Sequence, residues 1–466
     1  MSRILIHNGN IITVDPNIGD FPAGDILIVD DKIAEVRPGI RADVDETIDA
    51  TGMIVMPGLV NAHLHTWQTG LRSIGAGWSG SDYHRVMHAN MGTLFRPEDN
   101  YLATLIGAIE QLSGGVTTLF DWCHNITTLE HAERSVDALE ESGLRAVFGH
   151  GTAKPGAVFS EGTAKSADDE VPFTHKPHPR GRLEALRKGR FASDDRLVTL
   201  AMAILGPQFS TPEVTMHDFR LAKELGLLSS SHAARRPTDW MSPSGFYNTA
   251  EIGALDETHN VVHGNYLSDD ELKLIVDCGA SVTVTSMIEL HVHPLDPVTG
   301  RLRKLGALPS LGVDSIPAAN SDMFNEMRFA MLFQRAMEHR DNYRSGGAPL
   351  VQLPVKSREA LEWATIGGAR ALRMEHLVGS LTPGKKADII LLDAGALNLF
   401  PVHDPVHSVV QQACAFNVDT VFVNGKLKKR AGTLLLDPTT LRKRQIELQE
   451  SARRIVRESR YRAVAA

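Results

Sequence analysis

Two imidazoles spaced two residues apart, His63 and His65, follow directly on the apolar run Ile54-Val55-Met56-Pro57-Gly58-Leu59-Val60. On a strand, side chains at i and i+2 point to the same side. If the run is a strand that ends there, both rings face one point at its C-terminal mouth and can hold one cation. Imidazole suits zinc, iron, cobalt and manganese. A His-x-His pair by itself carries little weight, but placed directly after Pro57-Gly58-Leu59-Val60-Asn61-Ala62 it carries a good deal.

The elements that must position such a pair can be read from the rest of the chain. The first 50 residues hold short β-branched blocks (Arg3 to His7, Ile11 to Val14, Asp25 to Val29, Lys32 to Val36), punctuated by Gly9-Asn10, Asp30-Asp31 and Pro38-Gly39. From Val55 onward, strand-like and helix-like segments alternate. Helical periodicity over Leu102 to Ser113 stops at Gly114-Gly115, and a compact strand follows at Val116 to Phe120. A helix over Ala132 to Ser142 stops at Gly143, before a strand at Leu144 to Phe148. Strands are predicted at Leu197 to Leu205, Leu227 to Ser231, Asn260 to His263, Ser281 to Thr285 and Ile316 to Ala319, with helices such as Phe219 to Leu225 and Asp269 to Cys278 between them. About eight strands alternating with helices is the signature of an α/β chain folded as a (β/α)8 TIM-type barrel.

Strand texture returns at Ala387 to Asp393 and Thr420 to Val423, with a hairpin turn at Asn424-Gly425. Pairing of these strands with the N-terminal ones predicts a small composite β-sandwich made from both chain ends. The expected division is 1-54 and 378-435 for the two parts of the sandwich, 55-377 for the barrel and 436-466 for a C-terminal charged amphipathic helix. That helix is either packed on its own barrel or a subunit contact. Residues 153 to 192 interrupt the pattern after the third barrel strand, and a loop of that length is either a lid over the site or a plain surface excursion.

The bulk properties narrow the function classes. The chain has 466 residues, of which 42% are hydrophobic and 22% charged, with a formal net charge of -8. No basic concentration suggests nucleic-acid binding. Three scattered cysteines (Cys123, Cys278, Cys414) argue against a disulfide framework. The N-terminus lacks a signal-peptide pattern and no apolar run reaches membrane-spanning length. A cytoplasmic enzyme of small molecules, with no membrane or nucleic-acid partner, is the expectation, and a homo-oligomer, dimer or larger, is expected.

The segment Met56-Pro57-Gly58-Leu59-Val60-Asn61-Ala62-His63-Leu64-His65 resembles the opening signature of the amidohydrolase superfamily. Gly114-Gly115-Val116-Thr117-Thr118 is similar to its second strand, and Val378-Gly379-Ser380-Leu381-Thr382-Pro383-Gly384-Lys385-Lys386-Ala387-Asp388 to its closing stretch. The resemblance, to the triazine hydrolase and cytosine-deaminase-like group, spans nearly the whole chain. It implies a metal ligand at His232, a contact to the metal-bound water or the substrate at His263, and a metal-binding, proton-accepting carboxylate at Asp322. With no Lys in the fourth-strand region Leu197 to Phe209, it implies one divalent metal (zinc, cobalt, manganese or iron), held by His63, His65, His232 and Asp322.

Two stretches depart from the pattern of that group. Its fifth strand usually carries His-x-x-Glu, where the Glu protonates the leaving group. Here the run is His232-Ala233-Ala234-Arg235, and a guanidinium does not shuttle protons at neutral pH. Arg235 is left to polarise a carbonyl, hold an anion or form a salt bridge. In place of Cys-Pro-x-Ser-Asn the seventh strand reads Thr285-Ser286-Met287-Ile288-Glu289-Leu290-His291-Val292-His293-Pro294, in which Glu289, His291 and His293 are candidates for a replacement acid or a substrate contact. A leaving group that needs no protonation then gains weight. The first expectation is hydrolysis of a thiocarbamate, urea, carbamate or amide bond in a small neutral, xenobiotic-like substrate such as molinate, since the chain looks most like the branch with molinate hydrolase and the phenylurea hydrolases. The alternative is a deaminase or dechlorinase of a nitrogen heterocycle, triazine or nucleobase-like. Trp67, Trp78, Trp122, Phe209 and Met287 are candidates for pocket walls or for core.

Overall fold

The computed structural model describes residues 2–154 and 171–462. The N-terminal strands β1 (Arg3–Ile11), β2 (Phe21–Val29), β3 (Lys32–Arg37), β4 (Glu46–Asp49) and β5 (Met53–Pro57) are followed, one residue later, by β6 (Leu59–Leu64). Gly58 makes the join: a Cβ there would lie 2.1 Å from Thr117, so no other residue lets the chain leave one sheet and enter the next at this point.

Strands β6, β7 (Val116–Cys123), β8 (Arg145–Gly151), β9 (Val198–Ala203), β10 (Leu228–Ala233), β11 (His259–His263), β12 (Ser281–Val284) and β13 (Ser310–Leu311) form an eight-stranded parallel sheet, each paired with the next. They are almost continuously buried, as strands covered on both faces must be. The sheet closes on itself: Asp314 bridges Leu64, Val313 N donates to His63 O at 3.0 Å, and His65 N donates to Asp314 O at 3.0 Å. Gly312 permits this closure, because a Cβ there would stand 2.7–2.8 Å from the His63 backbone and Cβ. The barrel expected from the alternating pattern is therefore present.

The helices between the strands start and stop on recognisable chemistry. Thr128 caps Leu129–Ser142, which ends at Gly143 with a φ of 68°. Ser268 and Glu271 form a reciprocal capping box at Asp269–Asp277. The predicted helix over Phe219 to Leu225 is longer, Pro212–Glu224, with Thr211 as its cap.

Strands β14 (Ile389–Asp393), β15 (Val418–Val423), β16 (Lys426–Arg430) and β17 (Thr433–Leu434) complete a nine-stranded sheet with β1–β5. Its centre is β5 between β1 and β14, so residues from both ends of the chain share one sheet. Ile6, Ile28, Val55, Leu391 and Phe422 form its core. A buried ion pair ties this sheet to the barrel: Arg145 Nε and Nη2 donate to Asp388 Oδ2 and Oδ1 at 2.8 and 3.1 Å.

Two expectations are corrected. Ile316 to Ala319 is not a strand: Ala318 and Ala319 N–H groups turn back to Ser315 O, and Pro317 has no N–H to give a ladder. The eighth strand lies earlier, at Ser310–Leu311. The interruption after β8 is also less irregular than expected, since Arg180–Lys188 is a helix; the part of the lid reading that concerns residues 155–170 lies outside the described residues. The C-terminal helix, Pro438–Glu458, packs on its own barrel, with Ser451 and Arg454 both bonded to Asp99.

Candidate active site

Residues at or just past the ends of three strands converge at the C-terminal mouth of the barrel. His63 lies near the end of β6 and His65 just beyond it, His232 is the next-to-last residue of β10, and Asp314 follows β13. One ligand atom from each of these four buried residues lies within 4.8 Å of the other three. His63 Nε2 and His65 Nε2 stand 3.2 and 3.0 Å from Asp314 Oδ1. His65 Nδ1 donates to Trp122 O at 2.6 Å, which turns its Nε2 towards the group. Asp121, on the same strand as Trp122, accepts from Thr66 Oγ1 at 2.6 Å and fixes the chain just beyond His65. Burial pushes the Asp121 carboxyl up to about 6.

The donor set fits a metal. Burial, aided by neighbouring imidazoles, holds His63 down at about 3 and His232 well below its usual value, so both are neutral with a lone pair to give. Burial opposes the charge on Asp314, but hydrogen bonds from His63 and His65 overcome it and keep the carboxyl well below its ordinary range. Three imidazoles and one carboxylate are the ligands of a single divalent ion. Among the described residues this is the one such cluster.

Asp322, expected as the carboxylate ligand, is elsewhere. It caps the helix Met323–Arg344 by accepting from Phe324 N at 2.9 Å, and accepts from Ala415 N at 3.2 Å. It lines a separate cleft with Arg72 and Glu110. Asp314 takes the position expected of it because the eighth strand ends eight residues earlier. The signal for Asp314 was present in Leu311-Gly312-Val313-Asp314, a short apolar run with a glycine that ends in a carboxylate.

His263 is where the sequence put it, beside the metal group. Its Nε2 lies 3.8 Å from Asp314 Oδ2, and its Nδ1 lies 3.3 Å from Glu289 Oε1. It adopts a φ of 74°, a strained conformation for a residue with a side chain. Burial disfavours its charged form, but Glu289 and Asp314 outweigh this and raise its pKa. Glu289 is fully buried behind His263, bonded also to Thr285 N at 2.8 Å and Asn265 Nδ2 at 3.2 Å. It acts on the cavity only through His263. His293 lines the cavity, whereas His291 is bonded to Trp78 O at 3.2 Å.

Above the ligand group opens a cavity of about 420 Å³. Trp78, Tyr83, His84, Phe209, Arg235 and His293 are in its wall. Arg235 therefore faces the pocket. Trp122 instead packs beneath the ligands, 4.4 Å from the His232 ring, with its indole N–H on Ser230 Oγ; Trp67 is core, bonded to His124. Met287 is not in the lining. Sequence reasoning missed His84, His88, His124 and Lys154, all in the wall. Only His124 had a local signal, directly after the strand end Trp122-Cys123.

Residues 54–428 match the amidohydrolase family. The chain belongs to that family. It is a metal-dependent hydrolase acting on carbon–nitrogen bonds, and no helix among the described residues is long and apolar enough to cross a membrane. The amidohydrolase is 30% identical over 472 residues to the 5-methylthioadenosine/S-adenosylhomocysteine deaminase of Pelotomaculum thermopropionicum, covering 98% of this chain and 99% of that one. Its fold is similar to an adenosine deaminase from Xanthomonas campestris with bound zinc (TM-score 0.79, 22% identity, 97% and 98% of the two chains). It is also similar to the atrazine chlorohydrolase of Arthrobacter aurescens complexed with zinc (TM-score 0.79, 20% identity, 96% and 100%).

Proposed function

We propose that this amidohydrolase displaces an amino or comparable group from a ring carbon of a nitrogen heterocycle, with water as the nucleophile. The observation that carries the reading is the cavity itself: flat rings (Trp78, Tyr83, His84, Phe209) stand above a buried three-imidazole, one-carboxylate group, a shape suited to a planar ring laid over an electrophilic centre. The names of the relatives, deaminases and a chlorohydrolase of heterocycles, support it.

His63, His65, His232 and Asp314 hold the ion, which when bound supplies Lewis acidity and a nucleophilic water at neutral pH. Asp314 Oδ1 is engaged by His63 and His65, so Oδ2 is the atom left to accept the proton of the attacking water. His263 Nε2 faces that oxygen and is placed to pass a proton towards the leaving group. Glu289 acts as a positioning residue, engaging Nδ1 so that Nε2 stays turned inwards. Arg235 can polarise or orient a ring substituent, but a guanidinium is no substitute for the acid expected three residues after the fifth-strand His.

The second reading, hydrolysis of a carbamate, thiocarbamate or urea, draws on that one departure, since a thiolate leaves without a dedicated acid. Zinc-loaded enzyme offered aminopurines, aminopyrimidines and chlorotriazines beside thiocarbamates and phenylureas separates the two. Ammonia or chloride release with the ring retained is the expected result. Thiol or amine release without any turnover of ring substrates overturns the proposal in favour of the second reading.

A further inference from the structure

Lys154 follows the third barrel strand and is 2% exposed, yet it lines the cavity. Its ammonium sits over the Phe209 ring at 4.2 Å and the Trp122 ring at 5.9 Å. Among the described residues it makes no ion pair and no hydrogen bond. Aromatic faces attract a cation but do not supply the hydrogen-bond acceptors that its three N–H groups can use. Burial pushes its pKa down to about 7, and the charge of Asp314, whose oxygens are turned to His63, His65 and His263, pulls the other way. Among the described residues that line the cavity, Asp314 is the one carboxylate; the other ionisable groups there include Arg235 and the imidazoles of His84, His88 and His124, which burial keeps neutral. The described lining thus offers the Lys154 amine and neutral imidazoles to whatever enters, beside a group that itself binds a divalent cation.

A largely buried lysine with no ion pair or hydrogen bond among the described residues, lining a cavity whose described residues include no carboxylate besides Asp314, is a receptor for an oxyanion. We propose that the substrate is anionic: a heterocycle bearing a carboxylate or a negatively charged ring oxygen, seated on Lys154 while its reacting carbon lies over the metal group. This deepens the heterocycle reading and rests on it for the ring, though not for the charge. It replaces the neutral substrate that the resemblance to the molinate and phenylurea hydrolase branch implies, and it separates this enzyme's pocket from one built for an uncharged nucleoside.

Calorimetric titration of the zinc-loaded enzyme tests charge and ring independently. The anionic ring probes are orotate, for a carboxylate, and urate, for a ring oxyanion; uracil and hypoxanthine are their neutral partners. Hydantoate and propylurea form the corresponding open-chain pair. One charge-assisted hydrogen bond gained corresponds to a preference of about tenfold or more for the anionic member. In Lys154→Met that preference should shrink towards parity with zinc stoichiometry retained, and Lys154→Arg should restore part of it. Neutral probes that bind the wild-type enzyme as tightly as their anionic partners in the ring pairs and the open-chain pair alike overturn the proposal, as does a preference that survives in Lys154→Met. A charge preference seen only within the open-chain pair would overturn the heterocycle reading and leave the oxyanion role of Lys154 standing. Since the wild-type preference alone decides the first point, misfolding of a variant does not shield the idea.

Discussion

The floor and the wall of the cavity are built on different principles. The floor is His63, His65, His232 and Asp314, each fixed by a barrel strand end and by backbone bonds such as His65 N to Asp314 O. Its residue types are those a divalent ion demands, and closure of the barrel brings them within reach of one another. The wall is Lys154, Arg235 and His293, carried on segments past the strand ends, where no such closure constrains what stands there. The floor therefore decides whether chemistry occurs, and the wall decides on what. Changes to the floor should cost turnover of every substrate alike; changes to the wall should alter ratios between substrates.

The largest effect should come from Asp314→Asn, which removes the proton acceptor. A loss in kcat/KM of about a thousandfold or more is expected on any active substrate, from steady-state kinetics. Parity with wild type would take Asp314 out of the floor. His232→Ala comes next: zinc per subunit, measured by elemental analysis, should fall well below one, and chelation of the wild-type enzyme should abolish activity that added zinc restores. Retention of tightly held zinc in the variant would break the four-ligand assignment.

Glu289→Gln probes the boundary between the two regions. It should lower kcat by about 10- to 100-fold with zinc retained, and shift the pH profile because His263 loses the partner that raises its pKa. An unchanged profile would reduce Glu289 to packing.

Asp121→Asn sharpens the comparison from beneath. Folding lifts this carboxyl from its usual 3.8 to about 6. The cost of burying its charge is therefore absent below the unfolded value, grows through the interval and is complete above about pH 6. In metal-free protein the variant should gain on wild type by up to about 3 kcal/mol between pH 4 and pH 7, read from urea midpoints. A pH-independent difference would contradict the burial of that charge. Smallest of all, Asp322→Ala should cost about 1 kcal/mol as a lost helix cap and leave kcat intact. A catalytic defect there would reinstate Asp322 near the reaction.

Much of this architecture was legible because barrel strands are short apolar runs bounded by glycines, and the His63-Leu64-His65 pair marks where the first one ends. The aspartate was misplaced for a local reason. Ile316 to Ala319 is apolar and precedes Asn320-Ser321-Asp322, so it imitates a strand that ends in a carboxylate. The true eighth strand contributes only Ser310 and Leu311 to the ladder, and Asp314 reaches the site through the close approach that Gly312 allows. Lys154 was illegible for another reason: Trp122 and Phe209, which define its surroundings, lie on another strand and in the short helix Gly206–Phe209. Such a residue has no local pattern to be recognised by.

The central strand of the nine-stranded sheet, β5, has β1 on one side and β14 on the other, and the whole barrel is encoded between β5 and β14. During synthesis the N-terminal strands leave the ribosome long before their partner exists. They must wait with an open edge until the barrel has been translated. The barrel's final closure and the sheet's completion are then adjacent events, since β5 runs straight into β6 across Gly58. A chain truncated before β14 would lose not a terminal ornament but the clasp that holds its own beginning.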